Sequence, residues 1–343
     1  MSSIKYILIV LIVLSCSCGG GKPPIDPPPP ITHPKNIILM IGDGMGLGQI
    51  TAAMYKNNGY LNLEEFPVVG LQKTHSGDNL ITDSAAAATA IACGVKTYNN
   101  AIGVDMDTLP VQSILEMAEE RGLATGMVAT SSIVHGTPAP FISHQSSRVL
   151  LEKIAVDFLN TEIDFFVGGG KKFFDRRESD DRNLYKELKK KNYYISDYYL
   201  RDFELIRPRS DKNFAFFTAD DGPLPRSRGR EYLPLATKMG IDFLKKRSAK
   251  GFFFMVEASQ IDWGGHNRKE DIVIDETLDF NEAIGLVLKF AKKNKETLVI
   301  VTADHETAGF AINKGSTKEE LLIKFTSNGH TADLVPVLSL IHI

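Results

Sequence analysis

The chain has 343 residues, 43% hydrophobic and 24% charged, and a formal net charge of −3 from 39 Lys and Arg against 42 Asp and Glu. That balance excludes a disordered chain, which would lack the apolar residues to close a core, and a rod, which would need a repeating apolar period. A slightly acidic chain also disfavours a dedicated nucleic-acid binder, and no nucleic-acid partner is expected.

At the N-terminus Lys5 precedes an apolar run from Tyr6 to Leu14, too short to span a bilayer as a helix. This pattern reads as an export signal over residues 1–18. Val13-Leu14-Ser15-Cys16 resembles a bacterial lipobox, which makes Cys16 the candidate lipidation site. The expected location is the bacterial outer membrane, anchored by lipid and facing either the periplasm or the surface. An ordinary cleaved signal with incidental cysteines is the alternative. Gly19 to Gly21 and the prolines at 23, 24 and 27–30 read as a tether over residues 19–34. Of the 3 cysteines only Cys93 lies beyond this leader, so the domain has no internal disulfide.

The domain is expected over residues 35–337. Its first apolar run, Asn36 to Ile41, ends in Gly42-Asp43-Gly44. A helical pattern follows over Val111 to Arg121. Ala124 to Thr130 leads to a loop holding His135 and Thr137. The charged, Tyr-rich stretch from Asp175 to Arg230 reads as helices, loops and solvated surface. Phe252 to Val256 ends in Glu257, a long amphipathic helix is predicted over Asp275 to Lys293, and Thr297 to Thr302 ends in Asp304-His305. Near-continuous apolar runs mark strands buried on both faces. Their alternation with helices predicts an α/β fold with a doubly wound, mostly parallel central sheet flanked by helices. Ligands of such sheets bind beyond the carboxyl ends of the strands. One codon reading of residues 338–343 matches the end of a common transposase-based sequencing adapter. The domain is therefore expected to be C-terminally incomplete near Val337, with a natural short end as the alternative.

Asp83 and Ser84 open an alanine run, Ala85 to Ala88. Alanine favours helix, so either residue reads as an N-cap; Ser84 also reads as a hydroxyl held where helix N–H groups favour phosphate. Asp262 and His266 stand four positions apart, on one face if helical, a pairing that suits zinc. Asp304-His305 and His330 sit at strand–loop junctions, where a plain turn looks the same. Together Asp43, Glu257, Asp262 and Asp304 put four carboxylates at one sheet edge. Without cations they would repel one another and their pKa values would rise. With His266, His305 and His330 available, a multi-metal site accounts for the set, Asp/His sets matching zinc and all-oxygen sets magnesium.

The chain resembles the metal-dependent alkaline phosphatases. The resemblance is carried by Ile41-Gly-Asp-Gly-Met-Gly46, Thr82-Asp-Ser-Ala-Ala85, Gly94-Val-Lys-Thr-Tyr98, His135-Gly-Thr137 with Arg148, Val167-Gly-Gly-Gly170, Glu257 through His266, Thr302-Ala-Asp-His305 and His330-Thr331, in family order. It implies hydrolysis of small phosphate monoesters through a phosphoserine on Ser84, with two zinc ions and one magnesium ion. Asp262, His266 and His330 would hold one zinc, and Asp43, Asp304 and His305 the other. Asp43, Thr137 and Glu257 would hold the magnesium. Arg148 would grip two phosphate oxygens as a fork.

His135 and Trp263 stand where better-known bacterial members often carry Asp and Lys. Both are expected to border the substrate, with an uncharged contact at Trp263 and an altered third metal site at His135. The short connection from His305 to His330 leaves no room for a large crown-like insertion, and the resemblance also points to a homodimer. Relatives that cleave diesters or sulfate esters are the nearest enzymatic alternative. No Cys- or Ser-x-Pro-x-Arg sulfatase signature surrounds Ser84, and the diesterases usually carry Thr there and lack the third metal site. A binding lipoprotein that kept only the fold would have lost a ligand or the nucleophile, and all are present.

Overall fold

The computed structural model describes residues 33–340. The export signal, Cys16, the tether up to residue 32 and residues 341–343 lie outside them. In the unit that begins at Pro34, β1 (Asn36–Gly42) leads through α1 (Leu47–Lys56) to β2 (Val68–Gln72). Helices α2 (Ser84–Cys93) and α3 (Ile114–Glu120) precede β3 (Ala124–Ser132). The middle holds α4 (Leu151–Asp157), β4 (Phe165–Gly169), α5 (Lys172–Asp175), α6 (Leu184–Lys190), β5 (Tyr193–Asp197), β6 (Asn213–Phe217) and α7 (Tyr232–Arg247). Then come β7 (Phe252–Ala258), α8 (Gln260–His266), α9 (Glu270–Asn294) and β8 (Thr297–Thr302). Short strands β9 (Glu306–Thr307), β10 (Phe310–Ile312), β11 (Ile323–Phe325) and β12 (His330–Thr331) precede β13 (Val335–Ser339).

The main sheet has 9 strands in the order β2-β13-β8-β1-β7-β3-β4-β6-β5. Every neighbour pair from β8 to β5 is parallel, and β13 runs antiparallel to both β8 and β2. β3 and β7 are buried along their whole length, so both faces of the sheet need cover. Successive residues point to opposite faces and feed two cores. Ile38, Met40, Val128, Phe254 and Val256 pack with Leu233, Phe243, Ile284 and Val287 of α7 and α9. Leu39, Ile41, Met127, Phe253 and Met255 pack with Ala85, Leu115, Ile154 and Leu188 of α2, α3, α4 and α6. The doubly wound, mostly parallel arrangement is therefore the one the apolar runs predict.

Several local expectations need correction. The stretch 175–230 contributes two sheet strands, β5 and β6. In Asn213-Phe-Ala-Phe-Phe217, Phe214 and Phe216 enter one core while Ala215 and Phe217 enter the other. A buried strand this short is masked by the charged residues around it. The helix expected over 111–121 starts only at Ile114, because Ser113 and Glu116 form a capping box there. The helix expected over 275–293 is longer, Glu270–Asn294.

Candidate active site

Because β1, β3, β7 and β8 are parallel, their carboxyl ends meet at one edge. β1 delivers Asp43, whose N–H donates to Ala258 O of β7 (3.1 Å). β7 carries Glu257 and turns into α8, which places Asp262 and His266 one helical turn apart. β8 runs out into Asp304 and His305, and Gly44 N–H donates to Asp304 Oδ1 (3.1 Å). Gly44 has φ +75°, and a Cβ there would strike Asp262 Cα at 2.8 Å, so this turn admits glycine alone. β12 pairs antiparallel with β9, bringing His330 opposite Thr307. α2 points its N-terminus at the same place.

Two donor sets result. In the first, Asp262 Oδ1 lies 3.2 Å from His266 Nε2 and 3.5 Å from His330 Nε2, and the two Nε2 atoms are 3.1 Å apart. In the second, His305 Nε2 lies 3.2 Å from Asp304 Oδ2 and 3.5 Å from Asp43 Oδ1. Donors around a tetrahedral zinc at the usual bond lengths are separated by roughly 3.3 Å, so both sets have the spacing of a zinc shell. The sets adjoin: the His305 and His330 rings stack at 3.5 Å, and Asp262, His305 and His330 themselves form a compact donor group.

The ring nitrogens are oriented to match. His266 Nδ1 meets Asn328 O (2.6 Å) and His330 Nδ1 meets Thr82 O (2.8 Å). Carbonyls only accept, so each Nδ1 donates and each Nε2 is the atom turned toward Asp262 and available to a metal once it is deprotonated. Thr307, which no spacing in the sequence singles out, donates its hydroxyl to Asp262 Oδ1 (2.5 Å) and lies 3.2 Å from His305 Nδ1. A third cluster forms where Thr137 Oγ1 donates to Asp43 Oδ2 (3.3 Å) and Ser131 Oγ to Glu257 Oε2 (3.3 Å). Asp43 Oδ1, Glu257 Oε1 and Asp304 Oδ2 are buried without a hydrogen-bond partner. Buried carboxylate oxygens without donors cost free energy unless a cation faces them, and this donor set fits the metals the sequence implies.

Ser84 lies at the centre. Its neighbour Asp83, not Ser84, caps α2 by accepting from Ala86 N–H (3.0 Å). That leaves Ser84 Oγ, at the first helical position, to hydrogen-bond His305 Nε2 (3.3 Å) instead of the backbone. Asp83 also accepts from Arg148 Nη1 (3.0 Å), while Arg148 Nη2 meets His135 Nε2 (3.3 Å). The latter contact requires His135 Nε2 to accept. Arg148 passes over Gly136, where a Cβ would meet its guanidinium carbon at 2.7 Å. Trp263 packs edge-on against His135 at 6.0 Å. All the protein residues expected at the site, apart from Cys16 in the leader, are thus gathered at this edge. The role of Asp83 as the Arg148 anchor was hidden, because its cap function already explained it.

Charge is distributed unevenly. Burial, then Asp304, Asp262 and Glu257, push the Asp43 carboxyl well above its usual range. Burial raises Glu257 to about 7. Asp262 and Asp304 depart from the expected rise. Burial opposes ionisation of both, yet His266 and His330 hold Asp262 well below the usual range, and His305 lowers Asp304. In return Asp262 lifts His266 to about 9. Burial and the Arg148 charge depress His135 to about 4, so it is a neutral acceptor.

Fold and donor geometry define a protein with candidate metal-binding donor groups at the carboxyl edge of its sheet and a serine beside them. The family model described as alkaline phosphatase matches residues 34–337. Alkaline phosphatase 3 and alkaline phosphatase 4 of Bacillus subtilis are each 43% identical, over 81% and 83% of this chain. The chain spans less than two thirds of those relatives, 62% and 64% of their length. The alkaline phosphatase of the Antarctic bacterium TAB5 superposes with a TM-score of 0.84 at 44% identity, covering 90% of this chain and 91% of that one. Variants of that protein with a histidine replaced by Glu or Asp, solved with Mg bound in the M3 site, match with the same TM-score. The chain belongs to the alkaline phosphatase family.

Proposed function

We infer that the protein hydrolyses phosphate monoesters through a phosphoserine on Ser84. The observation that carries this reading is the Ser84 hydroxyl, held at a helix N-terminus and hydrogen-bonded to His305 Nε2 of a zinc-spaced donor set (3.3 Å). Asp262, His266 and His330 hold one zinc, and Asp43, Asp304 and His305 the second. Asp43, Thr137 and Glu257 would hold a third cation, read as magnesium from the family resemblance; the TAB5 proteins solved with Mg in the M3 site are variants whose histidine is replaced by Glu or Asp. Bound at these positions, the cations supply Lewis-acid stabilisation of the attacking and departing oxygens.

The chain's own residues do the rest. Arg148, fixed by Asp83, presents its guanidinium to the phosphoryl oxygens. The α2 N-terminus adds its dipole and its free N–H groups. Ser84 Oγ attacks phosphorus, the ester P–O bond breaks, and the alcohol leaves with a proton. Water then cleaves the Ser84–phosphate bond, releases inorganic phosphate and restores the hydroxyl. Trp263 and His135 wall the site without adding positive charge.

A chromogenic phosphate monoester, with and without chelator, tests the reading in the metal-loaded full chain. Turnover should vanish with chelator, and Ser84→Ala should lose both turnover and the trapped phosphoenzyme. Near-normal turnover of Ser84→Ala would refute the assignment.

The domain, residues 35–337, is held by the tether over 19–34 behind a signal over 1–18, and Cys16 carries the lipid that anchors it to the outer membrane. Fatty-acid labelling lost in Cys16→Ala checks this. A homodimer is the expected assembly, read by light scattering.

A further inference from the structure

The glycine run after Val167 is unused by this chemistry, yet Gly169 and Gly170 have no room for a side chain. A Cβ on Gly169 would stand 1.9 Å from the carbonyl oxygen of Asp221, and one on Gly170 would stand 2.2 Å from Ser132 Oγ. Ser132, at the end of β3, is the neighbour of Gly170, whereas at Gly169 the cause is the segment after β6, which pairs with this run. Thr218 N–H donates to Gly168 O (2.9 Å) and Gly170 N–H to Asp221 O (2.9 Å). Lys171 N–H donates to Ala219 O (3.2 Å) and Lys172 N–H to Asp220 O (3.1 Å). Ion pairs from Lys172 to Asp221 and from Arg176 to Asp220 close the same contact from outside.

The segment held this way delivers Gly222 to Trp263. A Cβ on Gly222 would lie 2.7 Å from Cη2 of that ring and 3.1 Å from Cζ3. Its three nearest atoms all belong to Trp263, so the backbone itself is one wall of the indole. Gln260 Nε2 ties the adjoining Pro223 O (3.0 Å) and Leu224 O (3.3 Å) to α8, the helix that carries Trp263. The indole in turn meets His135, and His135 meets Arg148. Packed matter transmits displacement: an added methyl in such a contact must move its neighbour.

We propose that the Gly168–Gly170 run and Gly222 act as one positioning device, which sets where Trp263 stands beside His135 and Arg148. These glycines touch no reacting atom; they act through the indole. The proposal rests on the phosphate-binding reading of Arg148, but its first readout does not.

Trp263 is the sole tryptophan of the chain, so fluorescence reports this wall alone. In the metal-loaded full chain, Gly169→Ala and Gly222→Ala should each shift the Trp263 emission maximum and its quenching by acrylamide. Each should also raise the inhibition constant for inorganic phosphate about threefold or more, with KM changing more than kcat. In a Trp263→Phe background the atoms that the new methyl strikes are gone, so Gly222→Ala should alter phosphate inhibition no further. Should Gly169→Ala fail to fold, Gly222→Ala, which meets only the ring, decides the matter. A fluorescence shift in a chain that cleaves no phosphate ester supports the positioning role and counts against the catalytic reading. Unchanged emission and quenching in Gly222→Ala, or an equal change of phosphate inhibition in both backgrounds, would overturn the proposal.

Discussion

Ser84 is relieved of capping its helix by the residue before it. A serine at a helix start ordinarily spends its oxygen on the backbone N–H groups of the first turn, but Asp83 takes that duty. The histidines show the same economy: backbone carbonyls occupy the Nδ1 atoms of His266 and His330, which turns their Nε2 atoms inward. His266 is also protonated below about 9 because of Asp262. Zinc must displace that proton. Zinc binding to the metal-free protein at pH 7 should therefore release about one proton at this set, read by calorimetry in buffers of different ionisation enthalpy. Release that stays absent from pH 7 down to 6 would contradict the pairing. His330→Ala should lower the zinc content and the rate together; unchanged values of both would remove His330 from the ligand set.

Helix α2 joins two tasks at one end. Asp83 caps it and also accepts from Asn100 N–H (3.0 Å) and Arg148. Asp83→Ala should cost about 1–2 kcal/mol of stability through the lost cap and raise KM through the released Arg148. Asp83→Asn keeps an acceptor for the cap but loses the charge. It should restore most of the denaturant midpoint while leaving KM high; equal recovery of both would show that the cap alone matters. Strand β2 is a different kind of element. It is the last strand of the sheet on its side, with Val69 67% and Leu71 58% exposed. Exposed apolar edge strands invite pairing with other chains. Val69→Lys should reduce concentration-dependent association seen by light scattering, with the unfolding temperature nearly unchanged.

At the scale of the whole molecule, stability is linked to the charge gathered at this site. Metal binding to the folded state alone stabilises by mass action, about 2.7 kcal/mol at a free concentration 100 times Kd. Chelation should therefore lower the unfolding temperature, and the sign of the pH effect follows from the shifted groups. Glu257, raised to about 7, is protonated in both folded and unfolded chains below its unfolded value. Above about 7 it is charged in a buried place, and the penalty is complete. The His266 pairing acts in the same direction, being fully present below its unfolded value and lost as pH rises through about 9. The lowered Asp262 and Asp304 lose their contribution only as pH falls through their folded values, below the ordinary carboxylate range. The gap in unfolding temperature between metal-loaded and metal-free protein should thus widen from pH 5 to pH 8. A constant gap would mean that these carboxylates carry no penalty in the metal-free fold.

Much of this was legible in the chain itself. Alternation and apolar runs define β1, β3, β7 and β8, because burial on both faces leaves a local signature. The four-residue step from Asp262 to His266 is likewise set by helix geometry alone. β5 and β6 were not legible, since strands of five residues amid charges look like surface. Nor was the meeting of His330 with His305, which depends on β12 closing onto β9, or the exchange of roles between Asp83 and Ser84. The direction of each carboxylate's shift also waited for the fold, because it turns on which histidine faces which oxygen at about 3 Å. Residue types and local periods decide what elements form and what chemistry is available. Long-range packing alone decides which of those groups share a cation, and the glycines that no local pattern explains mark where backbones must touch.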